Sequence, residues 1–585
     1  MKLDKETIIV LLIAALLAVS INPILQKLGL MQPAAVTNAN QTTTKVQATT
    51  DSNNKIAQPT KEIKKDLNKK IVTQKVAKSI QKKIKFQSYT LQNNDVKVTI
   101  GNNGAVTEYN FLKFKKANSD ESVSLNTSLN INKTSEAFNP QLPSEWQVKK
   151  IVKSNLSTSA DSFELTRLFS SKINKNAKLL VTQKWNLEKN FQLKYNISFK
   201  NASNEQITIP EVKMMSIALL PTKQMTGDNA RSEHFGVDFF TDKDDFISFR
   251  SKGDDDEFLS KRNIPAKWIA VSNKYFASII KCDELFKGGI ETFRKKYDNL
   301  VTDKKDDSVY KIAIEGNLGN VNLPSLNSSK EFKFNCFVGL KSLGNLKKFD
   351  KNTTKVVHLI GLWSVFNDIA IFMLIALDFL KNMLGNSYGW AIIALTLIVR
   401  AIFWPLTQKS NKSMKKMQAL QPKIQEIREK YKDPQLQSAK TMELYRQEKV
   451  NPVGGCLPLF LQLPVFIALY WALDGAVDLR QASFGWAKDL AQPDTVAMLG
   501  PLAINPLVII WAILMFVQQK LTPSAMDKNQ QIIMYAMPVV MLFMLYGLPS
   551  GLTLYWTVSQ VFSIVQMLIN NRSSKKEEQA TAKAS

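Results

Sequence analysis

Beyond residue 385 the chain is dominated by apolar runs, at Tyr388 to Leu406, Gly454 to Leu473, Val496 to Val517, Ile532 to Leu548 and Gly551 to Ile569. Each is close to the ~20 residues that a helix needs to cross a bilayer. A further run, Thr7 to Leu25, follows the short polar start Met1 to Glu6. No small-x-small cleavage site comes directly after it, so residues 1–30 are predicted to be an uncleaved transmembrane anchor, with a signal peptide as the alternative. Between these regions the pattern changes to short alternating segments such as Val96 to Ile100, Phe191 to Phe199 and Glu331 to Val338, separated by Asn, Gly, Asp and Ser clusters. Many short period-two segments with polar turns predict a large antiparallel β-sandwich over residues 86–350. Residues 31–85 are rich in Lys, Gln, Thr and Asn and poor in aromatics; they cannot bury enough apolar surface to order themselves and read as a disordered linker.

Residues 355–384 are apolar too, but carry Asn367, Asp368 and Asp378. Charge decides how they are read. With a cytoplasmic N-terminus the anchor puts the β domain outside, and a crossing at 355–384 would put residues 407–450 outside as well. That segment holds Lys409, Lys412, Lys415, Lys416, Lys423, Arg428, Lys430, Lys432, Lys440, Arg446 and Lys449, a cytoplasmic signature by the positive-inside rule. The segment 355–384 is therefore predicted to be an amphipathic helix along the outer interface, with its two Asp residues among the headgroups. The reading is a polytopic α-helical membrane protein of six spans, its five-span core at 385–570 carrying a cytoplasmic hairpin at 407–450. The short tail, 571–585, then returns to the cytoplasm.

Composition adds exclusions. The formal charge of +27 over 585 residues invites a nucleic-acid reading. Much of the excess lies in the linker and beside the spans, however, where topology and anionic lipid account for it, and no groove-reading motif accompanies it, so no nucleic-acid specificity is expected. Cys282, Cys336 and Cys456 are far apart, and His234 and His358 stand alone, so no metal site and no cofactor is expected. Cys282 and Cys336 fall in the β domain, where a disulfide is chemically open and two buried free thiols are the simpler reading. No catalytic signature interrupts the β segments. They suit a scaffold or partner-docking role better than a sugar-binding one.

The run Asn451-Pro-Val-Gly-Gly-Cys-Leu-Pro-Leu-Phe-Leu-Gln-Leu-Pro464 opens a span just after the basic hairpin. It resembles the signature of the YidC family of membrane protein insertases. Ile398-Val-Arg400 with Pro405-Leu-Thr407, Leu420-Gln-Pro-Lys-Ile424 and Leu548-Pro-Ser-Gly-Leu-Thr-Leu-Tyr-Trp556 extend the resemblance, in the family's order, over about residues 385–570. Lys267-Trp-Ile-Ala-Val-Ser-Asn-Lys-Tyr-Phe-Ala277 resembles the periplasmic domain of the Gram-negative branch. The resemblance implies a bacterial inner-membrane insertase and foldase rather than an enzyme. Such a protein receives hydrophobic segments of nascent membrane proteins in a hydrophilic groove, open to cytoplasm and lipid, alone or with the Sec translocon. Docking of the ribosome is expected to be weak or transient, and anionic lipids are expected at the basic segments.

Candidate residues follow. Arg400 lies twelve residues after Tyr388, about 18 Å into a hydrocarbon core of about 30 Å. An arginine there needs water, an acid or protein around it. From the residues alone a groove role and snorkelling to the inner headgroups stand level, and the resemblance favours the groove. Thr396, one turn earlier, shares its face, and Gln462 and Ser559 are polar candidates on other spans. The resemblance makes Leu463, Phe466, Tyr555 and Trp556 an apolar path for the incoming helix, with ordinary helix packing as the alternative. This chain departs from the family at Gly547, with Tyr546 one position earlier, which leaves the outer end of that path unassigned. On the hairpin, Met414, Met417, Leu420, Ile424, Ile427 and Tyr431 form one apolar stripe, first of all a seam within the hairpin. Met414, Met417, Lys423 and Arg428 are the candidates there for receiving substrate. A secondary transporter with an intramembrane anion site at Arg400 is the alternative function; internal repeats would support it, and none is visible. A membrane hydrolase would need a nucleophile and base at depth, and the two histidines lie outside the core.

Overall fold

Alternation of apolar and polar residues carries the β domain: Gln192–Asn201 and Lys178–Leu187 bury every second side chain. A computed structural model describes residues 86–584 except 117–118, 127–136, 141, 227–234, 252–261, 297–309, 358–363, 451–456, 501 and 522–527. The anchor and linker expected at 1–85 lie outside the described residues.

A nine-stranded sheet, antiparallel throughout, forms one wall. From one edge to the other it runs through the strands starting at Phe246, Phe235, Ala266, Phe276, Ser329, Gln192, Lys178, Ser162 and Trp146. A four-stranded antiparallel sheet, residues 88–126, packs on it. Tyr89 stacks on Phe163 at 4.4 Å and Phe111 meets Phe276 at 5.0 Å between ring centroids. Trp185, Tyr195 and Phe199, all fully buried, fill the layer between. Cys282 and Cys336 are buried free thiols in adjacent strands.

Eight helices make up the remainder of the described chain that bears on function: α1 (Ser364–Met383), α2 (Tyr388–Ala419), α3 (Gln421–Lys430), α4 (Pro434–Gln447), α5 (Leu457–Gly475), α6 (Pro506–Leu521), α7 (Lys528–Leu545) and α8 (Ser550–Ala584). Two stretches, Tyr388–Ala419 and Ser550–Arg572, are long and apolar enough to cross a membrane among the described residues. α1 packs on α2 and α5, α8 on α2 and α6, and α7 on α6. Ala370, Met373 and Leu377 of α1 are buried in the bundle with Ile392, Leu395, Leu469, Leu473, Leu552 and Tyr555. Asp378 is exposed and pairs with Lys381 at 3.9 Å. Asp368 differs from the expectation that both acids lie among headgroups: it is 6% exposed, so protein covers it, on the opposite side of α1 from Ala370, Met373 and Leu377.

Among the described residues the two parts meet where the turn after Ala266–Ser272 and the Lys115 region reach the end of α5 and the segment after it. Between strands Ala266–Ser272 and Phe276–Phe286, Asn273 folds the turn: its Oδ1 accepts N–H bonds from Tyr275 and Phe276, and its Nδ2 donates to the Leu220 carbonyl. That turn delivers Lys274 to Asp474, near the end of α5, at 2.9 Å, with side chains 10% and 12% exposed. Val477 is buried in the β domain's own core, Arg480 reaches the Lys115 carbonyl, and the Gln481 amide donates to the Lys113 carbonyl and accepts the Lys115 N–H. Removing one member of a nearly buried pair strands a charge and costs about 3 kcal/mol or more. Lys274→Glu is therefore expected to loosen this contact, read as lower cross-linking between cysteines placed at 115 and 481. Adding Asp474→Lys is expected to restore much of it; unchanged cross-linking in the single variant would contradict the assignment.

Candidate functional site

Arg400 sits mid-way along α2, half-buried, and turns toward α8. Its Nε–H donates to Ser559 Oγ at 2.7 Å, and an Nη2–H donates to the same oxygen. Among the described residues no carboxylate forms an ion pair with it. Its charge is held by a neutral hydroxyl, the arrangement in which an incoming acid gains most from it. Thr396 is 1% exposed and its hydroxyl donates to the Ile392 carbonyl of its own helix at 2.6 Å, so it is occupied one turn away and not joined to Arg400. The side chain of Gln462 lies outside the described residues.

α8 carries more polar chemistry than the sequence reading selected. Gln560 donates to Gln518 of α6, Gln566 Nε2 donates to the Trp404 carbonyl of α2 at 3.4 Å, and Ser563 donates to the Ser559 carbonyl. Lys415 reaches the Asn570 carbonyl at 3.4 Å near the end of the span. Ser559, Ser563 and Gln566 follow one another at intervals of four and three, so one face of α8 is polar from the middle of the apolar stretch toward its C-terminal end. The signal was present as a run of Ser and Gln inside an otherwise apolar segment; Gln518 stood alone in the sequence and only packing pairs it with Gln560.

The aromatic candidates divide. Phe466 stacks on Trp556 at 5.4 Å with rings 13° from parallel, and Trp556 in turn meets Trp511 of α6 at 5.6 Å. Leu463 is 47% exposed, on the outside of α5, while Tyr555 is 2% exposed and belongs to the bundle core. Among the described residues α5 packs on α1, α2 and α8, and nothing comparable joins α5 to α6 or α7. Leu463 of α5 and Val540, Phe543 and Met544 of α7 are exposed.

Toward the other end, Leu420, Ile424 and Val450 are buried against Met417, Leu444 and Tyr445, so the apolar stripe holds α3 and α4 together. Lys423 pairs with Glu448 at 2.6 Å across the hairpin. Asp433 caps α4 by accepting the Gln435 N–H, with Pro434 in the first turn, where its missing N–H costs nothing. Met414 is half-buried, and the Arg428 carbonyl accepts a bond from Gln437 Nε2. Tyr546 is also placed: its hydroxyl donates to the Ala503 carbonyl, and Asn505 donates to the Tyr546 carbonyl at 2.8 Å.

Comparison with known proteins decides the family. Over 392 residues the chain is 37% identical to the membrane protein insertase YidC of Geobacter sulfurreducens, an alignment covering 66% of this chain and 67% of that protein. The chain belongs to the YidC family of membrane protein insertases. It is also 39% identical, over 329 residues, to the membrane protein insertase YidC of Syntrophobacter fumaroxidans, covering 54% of this chain and 56% of that one. The family model described as 60Kd inner membrane protein matches residues 379–578, and that of the YidC periplasmic domain matches 88–369. A solved structure, the active YidC insertase with its first transmembrane domain resolved, aligns over 82% of this chain and 92% of its own at 19% identity and a TM-score of 0.36. The YidC family is one of inner-membrane insertases and not of enzymes.

Proposed function

We propose that this chain receives hydrophobic segments of nascent inner-membrane proteins in the space bounded by α2, α5, α6, α7 and α8 and releases them to lipid between α5 and α7. The observation that carries the reading is Arg400, half-buried at mid-span and held by a neutral Ser559 hydroxyl, in a bundle where, among the described residues, α5 packs on α1, α2 and α8 and not comparably on α6 or α7. A polar segment moving into hydrocarbon pays several kcal/mol, roughly, for each charged or unsatisfied group. A polar, half-depth groove shortens the distance over which that cost applies. Leu463, Phe466 and Trp556 offer the apolar side of the same space. No bond is made or broken, so no cofactor enters.

The accompanying topology has six spans, the N-terminal anchor and α2, α5, α6, α7 and α8, with both termini in the cytoplasm and α1 along the outer interface. The β domain stands in the periplasm as a scaffold. The basic hairpin faces anionic lipid and incoming substrate, working alone or beside the Sec translocon. Cysteine-accessibility labelling is expected to reach position 430 only from the cytoplasmic side and positions 251 and 482 only from the periplasmic side; labelling of 430 from outside alone would overturn the arrangement. The tail mixes Arg572, Lys575, Lys576 and Lys583 with Glu577 and Glu578, too little net charge to hold ribosomal RNA firmly. Removing 573–585 is expected to leave insertion mostly intact, and a large loss with expression unchanged would place ribosome docking there. Depleting the protein from its cell tests the function itself: multi-spanning inner-membrane proteins are expected to fail to insert, and normal insertion of all of them would sink the reading.

A further inference from the structure

Between α5 and α6 the chain makes a small β-hairpin, Ala497–Leu499 paired with Leu502–Ile504, with Gly500 in the left-handed conformation (φ 63°) at its turn. Its base is firmly built. Asp494, 4% exposed, accepts the Leu507 N–H at 2.7 Å and the Trp486 indole N–H at 2.9 Å. Thr495 donates to Asn505 at 2.7 Å, Asn505 donates to the Tyr546 carbonyl, and the Tyr546 hydroxyl returns to Ala503. What this frame presents is apolar: Val496 is 51% exposed, Met498 62% and Leu499 70%. No charged residue occurs from Thr495 to Gln519. A rigid mount with every base group satisfied and an exposed, uncharged tip is costly in water and favourable in lipid.

The hairpin's surroundings set the level. The chain leaves it directly into α6, whose Ile513 and Val517 are exposed, and it is tied through Tyr546 to the end of α7, where Phe543 is 77% and Met544 57% exposed. Beside it, Trp390 in the first turn of α2 meets Phe484 edge-on at 5.4 Å, and Trp390 and Trp486 are each about half exposed, as indoles are at a membrane interface. We propose that this hairpin is a lipid anchor, its Met498 and Leu499 tip seated among acyl chains at the outer face of the bilayer and fixing the outer ends of α6 and α7 at that depth. The inference rests on the membrane placement above.

The test uses the full chain with Cys456→Ser, carrying Leu499→Cys, Phe543→Cys or Lys175→Cys in turn. Each is labelled with an environment-sensitive fluorophore in vesicles of phosphatidylethanolamine and phosphatidylglycerol containing a shallow doxyl-phosphatidylcholine. Burial pushes the Cys282 thiol up to about 12 and raises Cys336 as well, so both stay unlabelled in the folded protein. The label at 499 is expected to be blue-shifted relative to that at 175, protected from iodide, and quenched by doxyl lipid at least about half as strongly as that at 543. Quenching by iodide alone would place the tip in water and overturn the proposal. Protection from both quenchers would mean that protein covers it and would overturn it equally. Should the 543 label also report water, the membrane placement itself fails, an outcome separate from failure at 499 alone.

Discussion

Arg400→Ala is expected to slow insertion of substrates with acidic translocated segments about tenfold while leaving neutral-tailed substrates nearly unaffected, in assays with paired acidic and neutralised tails. An acid drawn toward an arginine at mid-span gains about 1 to 3 kcal/mol at an effective dielectric near 20. Ser559 cannot cancel that attraction, because a hydroxyl carries no net charge. Arg400→Lys keeps the charge and is expected to retain much of the activity, although it loses the two-nitrogen grip on Ser559. An arginine that merely snorkelled to the headgroups would give a defect common to all substrates, or none. Equal slowing of both tails by Arg400→Ala would make the residue structural.

Trp556→Ala is expected to act on the fold and on every substrate alike. The ring is held between Phe466 of α5 and Trp511 of α6, so its removal opens a gap where three helices meet. For a partly buried indole the cost is about 2 to 3 kcal/mol, below the range for a fully buried one. The thermal unfolding midpoint in detergent should fall and insertion of acidic and neutral substrates should fall together, while Trp556→Phe, which preserves stacking on Phe466, should recover most of both. Unchanged stability with a loss of insertion would leave Trp556 a substrate contact with no part in holding the three helices together.

The sequence made some of this legible because period two and period 3.6 report burial directly. The alternating strands of the β domain, the turn at Asp433 and Pro434, and the seam of Met417, Leu420 and Ile424 follow from local pattern alone. Pairings between distant segments leave no such trace. Helical spacing put Thr396 beside Arg400, but the threonine hydroxyl satisfies the carbonyl four residues back, a bond any buried threonine in a helix can make. Tyr555 and Trp556 are neighbours in sequence and differ in place, one in the core and one in an aromatic stack, because adjacent residues on a helix point about 100° apart. Gln518 with Gln560, and Lys274 with Asp474, required the packing of whole elements before either pair existed. Asp368 was placed among the headgroups because charge set 355–384 along the outer interface, and its burial depends on which neighbours cover that side of α1.

Reconstitution tests the account most directly. The purified full chain is placed in protein-free liposomes, a single-spanning substrate is synthesised in their presence, and protease protection of its translocated segment is measured. Protection well above that of empty liposomes, reduced for acidic segments by Arg400→Ala, is the result the account predicts. Protection equal to that of empty liposomes, with the protein folded and correctly oriented, would contradict it.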